Sequence, residues 1–386
     1  MKAIFIVTRS FLRTKEKTDP FFDPIIRAIA DREDIEWKVF LWEKGVECGY
    51  PKERLDDYHA LEKCCIMLYR LFRLFAWRTP TWKLYRLAGR VVRPFFARKF
   101  AADIIITQAG MCADEFTGIV PSARVVDVQH GVIYSRHRGY FDSSARLMPG
   151  YQGMKQREFW LFGPGYADCF FKHPDNAADL AGRVHVIGDL LRASSSDSKT
   201  AGGEPRGQSP NLMVFSLQLT ADSKPEELAA SVKRMEDFFA GFIARFGNKY
   251  ECLVKHHPRF NNVYDLSGFY ARFPQIKETK APWPELYPRM ALHATFSSTV
   301  TFDCGSVGIP TVLLDLPNPD ILDRDFFRYD YNYPYFGKSA DEILAIPELE
   351  RRETIISWYR HFYAPFDAAH ARTLVRERGT VGKVRN

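Results

Sequence analysis

The 386-residue chain has no apolar run long enough to span a bilayer, no CxxC pair, and not one acidic residue between Lys63 and Ala102. Each gap removes a class of protein. With no stretch of about 18 apolar residues, no membrane-crossing helix is expected. The start, MKAIFIVTRS, carries only a short apolar run behind its lysine, too short for a signal-peptide core, and it predicts a first β-strand instead. Seven cysteines, odd in number and scattered, argue against a disulfide framework or a zinc ribbon, so a reduced, cytosolic protein is expected. Cys252 and His256 have the spacing of one strand face, but no third ligand accompanies them, and no metal is expected. Gly163-Pro164-Gly165 lacks the third glycine of a dinucleotide fingerprint and does not follow the first strand, which excludes an NAD site. GxSxG is missing, and with it the nucleophile elbow of a serine hydrolase.

What is present is ample for two cores: 46% of the residues are hydrophobic. Short apolar strands alternate with longer helical patterns, which predicts parallel β-α-β layers and an α/β fold. Six strands are expected in the first half, near 3–7, 37–41, 103–107, 125–128, 159–162 and 184–187. Four follow in the second, near 212–217, 251–255, 292–296 and 311–315, with helices over 225–246 and 300–307. Between the halves the run RASSSDSKTAGGEP from Arg192 to Pro205 has the composition of a linker. The expected domains are therefore 1–190, a linker over 191–210, a smaller domain over 211–347, and C-terminal helices over 348–386 that pack back.

In parallel sheets ligands bind beyond the carboxyl ends of the strands, so the corners after the strands are the places to look for chemistry. In the second half these are Gln218 to Asp222, Lys255-His256-His257-Pro258-Arg259, and Ser297-Ser298-Thr299. The last corner leads into a helix, where hydroxyls and unpaired backbone N–H groups favour an anion. In the first half Asp114 and Glu115 follow a strand through a glycine-containing loop, and either could serve as base or nucleophile, or simply as a solvated first turn of a helix. Gln129-His130-Gly131 follows the next strand.

The SLQ segment with Asp222-Ser223 behind it, the KHHPR segment, the SST corner with its Gly308-Ile309-Pro310, and QHG together resemble the two-domain GT-B glycosyltransferases. In particular they resemble bacterial capsule-polysaccharide proteins that use CMP-activated Kdo, with bacterial sialyltransferases as more distant relatives. The resemblance implies two Rossmann-like domains with an interdomain cleft. It implies that Lys255, His257, Pro258, Arg259 and Gln218 serve the nucleotide, that Ser297, Ser298 and Thr299 bind phosphate oxygens, and that Asp303 meets ribose hydroxyls. Glu115, Asp114 or His130 would carry the chemistry. Gln129, Gly131, Arg136 and Arg138 would meet the substrate, since an acidic sugar needs a guanidinium partner. The donor would be a CMP-sugar, with Kdo first and sialic acid second, no metal or other cofactor would be needed, and the acceptor would be a surface polysaccharide or glycolipid. Two rivals stay open: a CDP-glycerol-type polyol phosphate transferase, for which a histidine base such as His130 would be decisive, and a catalytically silent glycan-binding scaffold.

The acid-free segment interleaves ten Lys or Arg with tryptophans and phenylalanines, and Pro80 and Pro94 are expected to break it into helices. Over 65–100 such a surface suits the anionic inner face of the cytoplasmic membrane, or else simply packs on the first sheet with its arginines in water. A net charge of only +7 disfavours nucleic acid. From Asp323 to Gly337 seven aromatic rings invite an acceptor lid, and packing between the domains or an oligomer contact explains them equally well.

Overall fold

The computed structural model describes residues 1–43, 45–108, 110, 112–194, 210–218, 224–257, 264–315 and 326–377. By internal contacts the chain divides into two compact units, Met1–Ser198 with Phe362–Asn386, and Lys199–His361. Each is a Rossmann-like layer of parallel strands covered by helices.

The first unit holds seven parallel strands: β1 (Lys2–Val7), β2 (Glu36–Leu41), β3 (Leu55–Asp57), β4 (Ile104–Gln108), β5 (Arg124–Val128), β6 (Arg157–Leu161) and β7 (Val184–Val186), in the order β3-β2-β1-β4-β5-β6-β7. Every residue of β4, β5 and β6 is buried, as a strand covered on both faces requires. The helices are α1 (Asp23–Ala30), α2 (His59–Phe75), α3 (Thr81–Phe96), α4 (Ala113–Ile119), α5 (Pro164–Phe171), α6 (Pro174–Leu180) and α7 (Leu190–Ser194). Beneath α2, α3 and α4 a ring cluster joins the layers: Phe100 lies 4.8 Å from Phe40 and 5.4 Å from Phe116, and Tyr58 lies 5.6 Å from Phe116. Each such side chain taken fully out of water contributes about 1.5–3 kcal/mol.

Pro94 was expected to end a helix, yet α3 runs through it. Proline removes its own N–H bond and crowds the carbonyl one turn back, a local cost that the helix absorbs near its end; Ala97 N–H still reaches Arg93 O at 2.9 Å.

The second unit has five parallel strands, β8 (Leu212–Leu217), β9 (Glu251–His256), β10 (Ile276–Glu278), β11 (Met290–Thr295) and β12 (Thr311–Leu313), in the order β10-β9-β8-β11-β12. Its helices are α8 (Pro225–Phe246), α9 (Ser267–Arg272), α10 (Trp283–Leu286), α11 (Val300–Ser306), α12 (Phe326–Tyr329), α13 (Ala340–Ala345) and α14 (Glu348–Phe362). Trp358 of α14 stacks on Phe302 at 4.9 Å and donates Nε1–H to Tyr331 O at 2.7 Å. Phe326, Phe327, Tyr331, Tyr333 and Tyr335 are buried in the same cluster. Five of the seven rings read as a lid, an interdomain packing surface or an oligomer contact are thus core of this unit, while Tyr329 is exposed and Phe336 half-buried; residues 323–325 lie outside the described residues.

A last helix, α15 (Ala368–Arg376), belongs to the first unit. Arg372 Nε donates to Ala28 O of α1 at 2.8 Å. Arg124 of β5 grips Glu158 of β6 with two bonds of 2.6 Å and donates Nη1 to the carbonyls of Leu374 and Glu377, ending the fold with a buried charge-assisted latch.

Candidate active site

In the second unit the strand order sets the geometry. The chain builds β8, β9 and β10 outward, then returns to lay β11 on the other side of β8, so the topological switch point lies between β8 and β11. Leu217 is in register with His256, and Ser216 with Thr295, so β9, β8 and β11 end level with one another. With about 4.8 Å between neighbouring strands, the three corners beyond them fall on one edge roughly 10 Å across.

Hydrogen bonds hold that edge. His257 N–H donates to Leu217 O at 3.0 Å, and Thr295 Oγ1–H donates to Ser216 O at 2.9 Å. Buried His293 bridges Ser216 Oγ, at 2.7 Å from its Nε2, and Thr311 Oγ1, at 2.9 Å from its Nδ1. Complete burial pushes its pKa down to about 3, so it is a neutral clamp between three strands.

The candidate nucleotide residues are distributed as follows. Gln218 is exposed at the end of β8, His257 is half-buried beside it, Ser297 and Ser298 are half-buried after β11, and Thr299 is exposed. Ser298 Oγ accepts from Val300 N–H at 3.3 Å, so part of the hydroxyl set caps α11 itself. α11 has only seven residues, and the weight of an anion site here rests on hydroxyls and strand-end amides more than on a helix dipole. Asp303 is exposed in the first turn of α11.

Lys255 departs from the expectation: its ammonium donates to Ala281 O at 2.6 Å and lies over the Trp283 ring, which makes it a tie to the loop before α10. Pro258 and Arg259 lie outside the described residues.

In the first unit, Asp114 and Glu115 share the first turn of α4 but diverge. Asp114 Oδ1 is 3.1 Å from Arg86 Nη2 and 3.6 Å from Arg157 Nη1. Glu115 sits beneath α2 and α3, near Cys65, Cys112, Tyr58 and Tyr85. Burial, with Asp114 adding repulsion against the pull of Arg157, raises its pKa to about 7.

Two buried carboxyls escaped the sequence reading. Asp127, inside β5, has its pKa raised to about 6 by burial, against the lowering influence of Arg157, Gly110 N–H and the Tyr140 hydroxyl. Asp19 accepts both Gln108 Nε2 contacts, at 2.8 and 2.9 Å, at the switch point between β1 and β4, and burial raises it to about 7. The signal for Asp127 was a lone carboxylate in the run VVDV; for Asp19 the sequence offered none. Gly110, at φ +64°, lets the corner pass Arg157: a Cβ there would stand 2.8 Å from its Nη2.

Gln129 is a clip: its Oε1 accepts from Phe162 N–H at 2.8 Å and its Nε2 donates to Gly131 O at 2.7 Å. His130 lies half-buried against the edge of Phe11, and its Nδ1 has no hydrogen-bond partner among the described residues. Burial, helped by His137 and Arg13, lowers its pKa and favours the neutral imidazole. Gly131 faces open space, and Arg136 and Arg138 are exposed on the following loop. Among the described residues no group of three or more His, Cys, Asp or Glu is placed to hold a metal ion.

No family model and no curated protein matches this sequence. Solved structures do. The lipopolysaccharide outer core galactosyltransferase WaaB is similar over 97% of this chain and 99% of its own, at 11% identity and a TM-score of 0.52. The UDP-GlcNAc 2-epimerase from Neisseria meningitidis, solved with UDP-GlcNAc, is similar over 97% and 98%, at 11% identity and a TM-score of 0.50. At these identities the likeness shows the fold, which is GT-B.

Proposed function

We propose that this GT-B protein is a glycosyltransferase that takes a nucleotide-activated sugar, with a CMP-linked acidic sugar as donor, Kdo before sialic acid, and a polysaccharide or glycolipid as acceptor. One observation carries the proposal: Gln218, His257 and Ser297 to Thr299 stand on the same carboxyl edge, around the switch point between β8 and β11, where open α/β sheets bind ligands. Both similar structures bear names that involve sugars, and one was solved with a nucleotide sugar. The choice of CMP rests on the resemblance of the SLQ, KHHPR and SST segments.

Transfer breaks the bond between the anomeric carbon and the phosphate oxygen, forms one to the acceptor oxygen, and sends the acceptor proton to a base. CMP leaves with added charge on its phosphate, and each hydroxyl or amide aimed there contributes about 1.5–3 kcal/mol. Glu115, with a pKa near 7, is suited to take the proton at neutral pH. Incubating the protein with CMP-Kdo, CMP-sialic acid and CDP-glycerol and following nucleotide release tests the assignment. Release from a CMP-sugar, reduced in Glu115→Gln while CMP binding persists, is expected; turnover of CDP-glycerol alone would transfer the function to the polyol phosphate class.

The neutral imidazole of His130, whose Nδ1 has no hydrogen-bond partner among the described residues, favours that second class in one respect, since it supplies a histidine base. Full activity of Glu115→Gln and loss in His130→Ala would make His130 the base.

A further inference from the structure

The two helices that carry the acid-free basic run present two apolar faces, and only one is covered. Leu61 and Cys65 of α2 and Leu84, Ala88 and Val92 of α3 point into the first unit's core. A second stripe is open to solvent: Met67, Leu71, Leu74 and Phe75 on α2, and Leu87, Val91 and Phe95 at every fourth position of α3. Trp77 joins them from the connection between the helices. Phe75 is 82% exposed, Phe95 81%, Leu74 75% and Trp77 65%, and most of the large exposed hydrophobic side chains among the described residues lie here. Apolar area gathered in this way marks a surface that meets something.

Charge says what. Ten Lys or Arg and no acid lie between Lys63 and Ala102. Lys83, Arg86 and Arg90 line a shallow depression with Trp82 and Leu87, beside the open stripe of α3. A second copy docked through this face by two-fold symmetry would bring two acid-free cationic surfaces together. A nucleic acid would satisfy the cations and stack bases on the rings, but it would leave the aliphatic side chains of Met67, Leu71, Leu74, Leu87 and Val91 in water. No helix among the described residues is long and apolar enough to cross a membrane.

We infer that the α2–α3 hairpin docks on an anionic lipid bilayer, with Leu74, Phe75, Trp77 and Phe95 entering the head-group boundary and the flanking arginines and lysines meeting lipid phosphates. The hairpin is rigid enough to act as one surface: Tyr69 and Tyr85 stack at 4.5 Å with their planes 1° apart. Close approach at Gly89 and Gly118 fixes α3 on α4, the helix of Asp114 and Glu115. The inference stands on this surface alone and survives if the proposed donor chemistry fails.

The test is flotation of the full-length protein with phosphatidylcholine vesicles, with and without phosphatidylglycerol, at low and high salt. Binding to phosphatidylglycerol vesicles is expected, roughly fivefold weaker for each cation neutralised among Arg70, Arg73 and Arg93, and weakened by salt. Phe75→Ser with Phe95→Ser, at solvent-exposed positions, should lose binding while circular dichroism and thermal unfolding stay as in the parent protein. Equal binding to neutral vesicles, unchanged binding of the double variant, or no binding at low salt would each overturn the inference. So would a concentration-dependent dimer that the double variant abolishes.

Discussion

Arg86 places a guanidinium nitrogen 3.1 Å from Oδ1 of Asp114, so the helix with the open apolar stripe and the helix with the candidate carboxylates share one ion pair. Both side chains are largely shielded from solvent, and Arg157 stands 3.6 Å from the same oxygen. A double-mutant cycle of Arg86→Ala and Asp114→Asn should give a coupling of about 1 kcal/mol in urea denaturation. Strictly additive losses would show that the pair does not join the helices.

Two buried carboxyls, Asp19 and Asp127, and the half-buried Glu115 should make the stability of the first unit fall as pH rises. Asp19 and Glu115 titrate near 7 and Asp127 near 6 in the fold, against 3.8 and 4.5 for free Asp and Glu. Because the folded pKa values are raised, the favourable contribution is complete below the free values and is lost as pH climbs through 6 to 7. Between its free and its folded value each group changes stability by up to about 1.4 kcal/mol per pH unit. Glu115→Gln should flatten the urea midpoint between pH 5 and 8, and an unchanged slope would place Glu115 in contact with water.

His293 works in the opposite sense. Its pKa, near 3 against 6.5 when free, is lowered, so its contribution is present above 6.5 and disappears as pH falls toward 3. His293→Leu leaves the hydroxyls of Ser216 and Thr311 without the ring between them and should cost about 2–4 kcal/mol at pH 7. The deficit should shrink on acidification, which chemical denaturation at pH 7 and pH 5 measures; a constant deficit would mean that the ring titrates in the fold as it does in the unfolded chain.

Backbone proximity gives a sharper contrast. A Cβ at Gly89 would stand 2.3 Å from the Glu115 carbonyl oxygen, whereas a Cβ at Gly131 would meet nothing within 4 Å. Gly89→Ala should lower stability by about 1–3 kcal/mol and Gly131→Ala by less than about 0.5 kcal/mol. Equal melting temperatures for the two variants would contradict the α3–α4 packing.

Most of the architecture was legible because parallel strands buried on both faces write themselves as apolar runs, and β8 and α8 fall where their periodicity puts them. The three-residue strands β3 and β10 were not legible: LDD and IKE carry no such run and are strands only because Val39 to Leu41 and Cys252 to Val254 offer them an edge. The strand-end corners could be found from position alone, but side-chain direction could not. Lys255 reads as a phosphate partner in KHHPR, yet the alternation of its strand and the Ala281 carbonyl turn it elsewhere. Asp19 and Gln108, 89 positions apart, meet only because the sheet order sets β1 beside β4.

The central claim is that the carboxyl edge around β8 and β11 receives the nucleotide. Calorimetric titration of the protein with CMP, repeated for His257→Ala and for Ser297→Ala with Ser298→Ala, tests it most directly. One saturable site is predicted, weakened roughly 10-fold or more in each variant, as the loss of a charged hydrogen bond requires. Absence of CMP binding, or variants that bind as tightly as the parent protein, would contradict it.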